Sequence, residues 1–248
     1  EITVPSSINI INSLNLINFT SLEHIKITEG STEIPDNSFA NLKSLKKVTL
    51  AYTVTKIGKN SFANCSFLTQ INFSPSITNI GDNAFEGCTS LAKLEIPSSV
   101  VEIGSYSFSK CTSLTQLTID LYQTKIQENS FDDCTSLNNI IFSSTTTITS
   151  IQGNTFTQFF MKLQNISFVK IPSSVMQLNN YAFNECATLV EFQIPPSVEK
   201  IGDFAFNNCV LLKQIFIPDS VIYIGYHAFN RCASLKKIEI PNSVTKTG

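Results

Sequence analysis

Residues 198–220 read Val-Glu-Lys-Ile-Gly-Asp-Phe-Ala-Phe-Asn-Asn-Cys-Val-Leu-Leu-Lys-Gln-Ile-Phe-Ile-Pro-Asp-Ser, and residues 221–243 restate the same pattern. Both stretches contain Ile-Gly, then Phe-x-x-Cys, then Leu-x-x-Ile-x-Ile-Pro. A period of roughly 20–50 residues is the signature of a repeat protein, in which each unit covers the apolar side of its neighbour. This repeat therefore decides the fold.

The phenylalanine of the pattern recurs along the whole chain and sets the register. Leucine replaces it in the first copy, and the ten positions are Leu16, Phe39, Phe62, Phe85, Phe108, Phe131, Phe156, Phe183, Phe206 and Phe229. The intervals are 23 residues five times, then 25, then 27, then 23 twice. The sequence predicts a single repeat domain over residues 1–248. We expect it to be a fragment of a longer protein, because both ends fall inside a repeat.

Each repeat unit divides into two halves with different patterns. The second half alternates apolar and polar residues, as at 91–96 and at 235–240, and this predicts a half-buried β-strand that the following proline ends. In the first half, residues 82–88 of one copy predict a turn or two of α or 3₁₀ helix, capped by the polar residues after the glycine. That glycine lies four residues before the phenylalanine and predicts a positive φ angle or a close backbone approach.

Composition narrows the class of protein. Hydrophobic residues make up 42% of the chain and charged residues 15%, which is typical of an ordered globular protein. The net charge of −2 is spread along the chain, so the basic footprint of a nucleic-acid-binding protein is absent. No apolar run approaches the roughly 18 residues that a membrane-spanning helix needs, so we expect no membrane insertion in this segment.

All seven cysteines occupy one position, three residues after the repeat phenylalanine: Cys65, Cys88, Cys111, Cys134, Cys186, Cys209 and Cys232. Other copies place Phe19, Leu42 and Phe159 there, which indicates an apolar interior position holding buried free thiols. Disulfides between neighbouring repeat units, which stack as the rungs of the fold, are the alternative. A metal site is disfavoured because neither CxxC spacing nor a nearby histidine completes a ligand set. We expect no metal and no cofactor.

Two copies depart from the 23-residue spacing of the repeat. Residues 143–147 replace the usual turn and add two residues, and the copy at Phe156 runs four residues long before Ile171. We interpret the surplus as bulges at the edge of the stack. They are either tolerated loop insertions or a partner-contact site through Phe160 and Met161.

The pattern Pro-x-Ser-Val-x-x-Ile-Gly-x-x-x-Phe-x-x-Cys-x-x-Leu-x-x-Ile-x-Ile closely resembles the treponemal-type, BspA-like class of leucine-rich repeat over essentially the whole chain. The copies at Phe131 and Phe156 depart most, since Gln127 and Gln152 stand where glycine is usual. The resemblance implies a curved leucine-rich-repeat solenoid of the α/β type, with about ten stacked 23-residue repeats built mostly from short parallel strands. It also implies a surface or secreted protein that adheres to host cells, matrix proteins or other microbes.

The outward positions of the predicted strands are the candidate binding face for a protein or glycoprotein ligand. They are Lys47, Gln70, Lys93, Glu95, Gln116, Asn139, Ile141, Glu191, Gln193, Gln214, Phe216, Lys237 and Glu239, with Asn165 and Ser167 in the long copy. Phe216 is the main anchor candidate because outward aromatic residues often dominate binding energy. Asn72 and Asn165 begin glycosylation sequons on this face.

The patterns do not indicate an enzyme. The only two histidines, His24 and His227, belong to the first and last copies, and a catalytic site needs converging groups. The leading hypothesis is a non-enzymatic adhesion scaffold at the cell surface or secreted. The alternative is an intracellular or assembly scaffold that recruits a partner protein, because free thiols tolerate that compartment.

Overall fold

The computed structural model describes residues 1–5, 19–120, 124–127, 129–142, 149–151 and 165–248. They form two compact units, Glu1–Leu137 and Asn138–Gly248. Each unit is a stack of parallel β-rungs, so the predicted solenoid of short parallel strands is confirmed. A single domain over residues 1–248 stays a prediction.

The first unit has two kinds of strand. The longer ones are β1 (Ile2–Val4), β2 (His24–Ile27), β4 (Lys47–Thr49), β6 (Gln70–Asn72), β8 (Lys93–Glu95) and β10 (Gln116–Ile119). The shorter ones are β3 (Glu33–Ile34), β5 (Lys56–Ile57), β7 (Asn79–Ile80), β9 (Glu102–Ile103) and β11 (Lys125–Ile126). Pairing is parallel and advances by one repeat, so that Ile25 lies opposite Val48 and Ile57 opposite Ile80.

The second unit repeats this arrangement. Its longer strands are β12 (Asn139–Phe142), β14 (Phe168–Lys170), β16 (Glu191–Gln193) and β18 (Gln214–Phe216), and they pair in that order. Its shorter strands are β13 (Ser150–Ile151), β15 (Gln177–Leu178), β17 (Lys200–Ile201), β19 (Tyr223–Ile224) and β20 (Lys246–Thr247). The predicted strand at 235–240 is wrong, because no backbone hydrogen bond joins 236–240 to β18 among the described residues.

In each unit the shorter strands form a parallel sheet of their own, which the sequence pattern did not reveal. Each is only a dipeptide that precedes the glycine position of the repeat, and two residues are too few to show the alternation that identifies a strand. Most of their isoleucines are buried, as Ile57 and Ile103 illustrate, although Ile126 is only half-buried, so the shorter strands close the core of each unit on a second side.

The core of each rung is the repeat phenylalanine. In the first unit the rings from Phe39 to Phe131 stack in sequence, with centroids 5.2–5.3 Å apart and planes within 20°. In the second unit Phe183, Phe206 and Phe229 stack at 5.3 and 5.5 Å. The parallel strands hold successive rungs about 4.8 Å apart, which is close to this ring separation. Each stacked pair of rings contributes about 0.5–1.5 kcal/mol beyond burial. Leu16 and Phe156 lie outside the described residues.

The segment that carries each phenylalanine consists of turns, and no α or 3₁₀ helix occurs within the described ranges. The helical turns predicted at 82–88 are therefore wrong. Two left-handed residues interrupt this segment, since Asn83 has a φ of 52° and Gly87 a φ of 70°. The Phe85 N–H consequently donates to the Ser107 carbonyl of the next rung at 2.7 Å. In addition to the two kinds of sheet, a third row of hydrogen bonds between rungs therefore replaces the expected helix.

The repeat glycines permit a close approach between rungs and do not have positive φ, so only the second of the two predicted roles is confirmed. A Cβ atom would lie 2.4–2.8 Å from a backbone atom of the preceding rung at Gly58, Gly81, Gly104, Gly202 and Gly225. At Gly104 two of the three crowding atoms belong to Asp82, whose Oδ1 accepts a 3.0 Å hydrogen bond from the Ser105 amide. The polar residue after the glycine therefore caps the next rung, and the prediction that it caps its own helix is wrong.

Truncation of a stacked ring should destabilise the protein far more than truncation of an outward side chain. Phe108 is fully buried between Phe85 and Phe131, so Phe108→Ala should lower the free energy of unfolding by about 3–5 kcal/mol through the cavity it leaves. Lys93→Ala, on an exposed strand position, is the control and should change it by less than about 0.5 kcal/mol. Urea denaturation measures both, and equal losses would contradict the register.

Candidate binding face

The longer strands direct alternate residues to opposite sides, and this separates core from candidate binding positions. Leu94 and Ile215 point inward and are buried, whereas Lys93, Gln214 and Phe216 on either side are exposed. The outward candidates Lys47, Gln70, Glu95, Glu191, Gln193, Lys237 and Glu239 are also exposed, and Gln116, Asn139 and Ile141 are half-buried. All thirteen predicted positions thus present some surface to solvent. Their role in binding stays a prediction.

In the first unit the candidates fall into two separate sheets. Lys47 lies opposite His24 on one side and Gln70 on the other, in the sheet formed by β1, β2, β4 and β6. Lys93 lies opposite Gln116 in a different sheet, which contains β8 and β10. This part of the face is polar. Some of its groups bond to one another, since His24 Nε2 lies 3.0 Å from the Thr49 hydroxyl.

In the second unit the sheet brings the candidates together in two columns. One column contains Asn139, Phe168, Glu191 and Gln214, which lie opposite one another on successive strands. In the other column Ile141 lies opposite Lys170, and Gln193 lies opposite Phe216. Lys237 and Glu239 reach this face from the irregular segment after β18.

The prediction that Asn165 and Ser167 lie on the face is wrong. Phe168 and Lys170 occupy those positions, because β14 starts at Phe168 and pairs it with Glu191. The surplus residues of the long copy precede the strand, so the strand was predicted three residues too early, at Asn165. Counting back from Ile171-Pro172 would have found it. The sequon at Asn165 begins in a turn before the strand, and the predicted contact residues Phe160 and Met161 lie outside the described residues.

Members of both columns line an open concavity of about 550 Å³. Its lining residues are Phe168, Glu191, Phe192, Gln193, Gln214, Ile215, Phe216, Ile217, Lys237 and Glu239. Phe216 is 70% exposed there. Lys237 and Glu239 form an ion pair that raises the pKa of the lysine and lowers the pKa of the glutamate through their hydrogen bond and opposite charges. The site is an open, partly aromatic surface suited to binding.

The seven cysteines are free, as predicted, and six of them are buried. A thiol donates to the carbonyl of the phenylalanine one rung back, for example from Cys88 to Phe62 at 3.3 Å and from Cys134 to Phe108 at 3.1 Å. Burial raises the pKa of Cys65 and of Cys134 to about 12, so these thiols stay protonated and unreactive at neutral pH.

The interior character of this position has two exceptions. Cys232 is only half-buried, and Phe19 is 52% exposed although Leu42 at the same position is buried. Phe19 directly follows residues 6–18, which lie outside the described ranges, and Phe159 lies outside them as well. The prediction of an apolar interior position therefore holds for Leu42 and six cysteines and is wrong for Phe19.

The described parts of the chain contain no group of three or more His, Cys, Asp or Glu side chains able to hold a metal ion. His227 packs against the rings of Tyr226 and Phe204, at centroid distances of 3.8 and 5.4 Å. Across the same ranges, no helix has the length and apolar composition required to cross a membrane.

Comparison with known proteins identifies the repeat. The family model described as BspA type leucine rich repeat region matches in six copies, over residues 1–112, 55–159 and 157–248. No curated protein matches the chain.

Solved structures of other repeat proteins are similar to this chain. A leucine-rich repeat protein of T. pallidum is 23% identical, with a TM-score of 0.48 over 77% of this chain and 78% of that one. A leucine-rich cell surface protein of Faecalibacterium prausnitzii is 28% identical, with a TM-score of 0.38 over 91% and 69%. The pneumococcal vaccine antigen PcpA is 21% identical, with a TM-score of 0.45 over 93% and 69%.

Thiol reactivity should separate Cys232 from the other six cysteines. Titration of the native protein at pH 8 with a disulfide reagent should show at most one rapidly reacting group, because the other six thiols are buried. Seven groups should react after denaturation, and Cys232→Ser should remove the rapid one from the native protein. Several rapid groups in the Cys232→Ser protein would show that the cysteine position is not interior.

Proposed function

Because the chain belongs to the BspA-type leucine-rich repeat family, we propose that it is a non-enzymatic scaffold that binds a protein or glycoprotein through the outward face of its longer strands. The binding residues would be the thirteen outward candidates together with Phe168. The scaffold would act at the cell surface or after secretion, in contact with host-cell, matrix or microbial surface proteins. The family resemblance supports that location.

The exposure of Phe216 is the observation that carries this proposal. A phenylalanine side chain offers on the order of 150–250 Å² of surface, and leaving it in water forgoes the stabilisation that burial provides. Phe216 contributes little to the core, where Ile215 and Ile217 on either side are buried. An aromatic ring in this position, within a concavity, is typical of a residue that a partner covers.

The surroundings of Phe216 resemble those of interface anchors. Amide side chains of Gln193 and Gln214 stand beside the ring and provide hydrogen-bond donors and acceptors. Below them, Phe192 is held between Phe183 and Phe206 at centroid distances of 4.6 and 5.0 Å, which keeps β16 rigid. A rigid floor reduces the conformational entropy that binding would otherwise cost.

Removal of the Phe216 ring should strongly weaken binding without affecting the fold. Wild-type protein and Phe216→Ser should be immobilised and tested for capture of purified extracellular-matrix proteins and of intact epithelial cells. We expect Phe216→Ser to reduce affinity by on the order of thirtyfold or more, since a hot-spot residue contributes about 2 kcal/mol or more.

The matched control is Phe67→Ser, which removes another exposed ring from a turn outside the longer strands. It should leave capture unchanged. Thermal unfolding of both variants should match wild type. Equal capture by wild type and Phe216→Ser, or equal loss in the two variants, would count against binding through the strand face.

A further inference from the structure

The concavity of the second unit contains one acidic group without a partner. Glu191 lies between Phe168 and Gln214 on the sheet, and its side chain is exposed. The four ion pairs found among the described residues do not involve it. Its carboxylate is therefore available to a ligand.

The other charges of the lining cancel. Lys237 and Glu239 are paired with each other, so the concavity has a net charge of −1 that belongs to Glu191. Lys170 is a cation on the same sheet face, but it lies opposite Ile141 and does not line the concavity. A ligand that fills this space meets a negative charge bordered by aromatic rings.

We infer that the concavity accepts a peptide segment of the partner in which an arginine or lysine is flanked by apolar side chains. The inference rests on the proposed function and names the chemistry of its partner. The cation would lie on Glu191, and the apolar side chains would cover the rings of Phe168 and Phe216. Arginine suits this arrangement best, because a guanidinium group bonds a carboxylate through two N–H groups and also stacks on aromatic faces.

The charge on Glu191 distinguishes this partner from the alternatives. An acidic segment would be repelled by Glu191, and a wholly apolar segment would cover the carboxylate without satisfying it, at a desolvation cost. A basic segment without apolar residues would leave both rings in water. The mixed segment is the one that satisfies the carboxylate and the rings together.

Synthetic 15-residue peptides of four compositions test the inference: basic with apolar, acidic with apolar, neutral apolar, and basic without apolar residues. Binding to the whole chain is measured by fluorescence anisotropy at low and at physiological salt. We expect only the basic peptides with apolar residues to bind, and we expect their affinity to fall as salt is added. Equal binding of the acidic class, or no binding of any class, would overturn the inference.

Substitutions at Glu191 give the residue-level test. Glu191→Gln should weaken binding of the basic–apolar peptides by on the order of tenfold and reduce its salt dependence, and Glu191→Lys should weaken it further. The control is Glu199→Gln, which neutralises an exposed carboxylate of the second unit outside the longer strands and the candidate binding face, and which should leave affinity unchanged. Unchanged affinity in Glu191→Lys would overturn the inference.

The same variants separate failure of the inference from failure of the proposed function. Capture of matrix proteins or cells that Phe216→Ser abolishes and Glu191→Lys leaves intact would refute the basic partner and retain the binding face. Capture that neither variant alters would refute the face itself, and with it the inference.

Discussion

The contact between one phenylalanine ring and the next is the interaction on which the rest of the structure depends. The rings stack at 5.2–5.5 Å in both units, close to the spacing of parallel strands. A rung shifted by a single residue would lose its stacked ring, its thiol–carbonyl bond and its two strand pairings at once. The register is therefore defined by several agreeing contacts, and the 23-residue period follows from it.

This arrangement separates the residues that form the fold from those available for binding. Phenylalanine, glycine, cysteine and the inward strand residues are fixed by contacts with the neighbouring rungs. Outward strand residues have no such constraint, and they differ from rung to rung, from Lys93 and Glu95 to Gln214 and Phe216. In the second unit these unconstrained positions include two aromatic rings and an unpaired carboxylate, the groups on which the proposed recognition depends.

The sequence predicted the parts of the fold that repeat and missed those that depend on contacts between rungs. Phenylalanine spacing was visible in the sequence and correct, and strand alternation was correct except at 235–240. The sequence did not reveal that the phenylalanine segment lacks a helix. Asn83 there adopts a left-handed conformation and bonds with the next rung, and no local sequence pattern reveals such a contact. In the site, the outward orientation of Phe216 followed from strand alternation. Phe168 was missed because the surplus residues before β14 hid its register.

Native-state amide hydrogen exchange tests most directly whether the phenylalanine stack carries the fold. The N–H groups of Phe62, Phe85 and Phe108 donate to carbonyls of the next rung at 2.7–2.8 Å, and they should exchange only through global unfolding. Gly30, whose amide donates to the Thr53 hydroxyl in an exposed turn, should exchange much faster. Exchange of the three phenylalanine amides as fast as that of Gly30 would contradict the account.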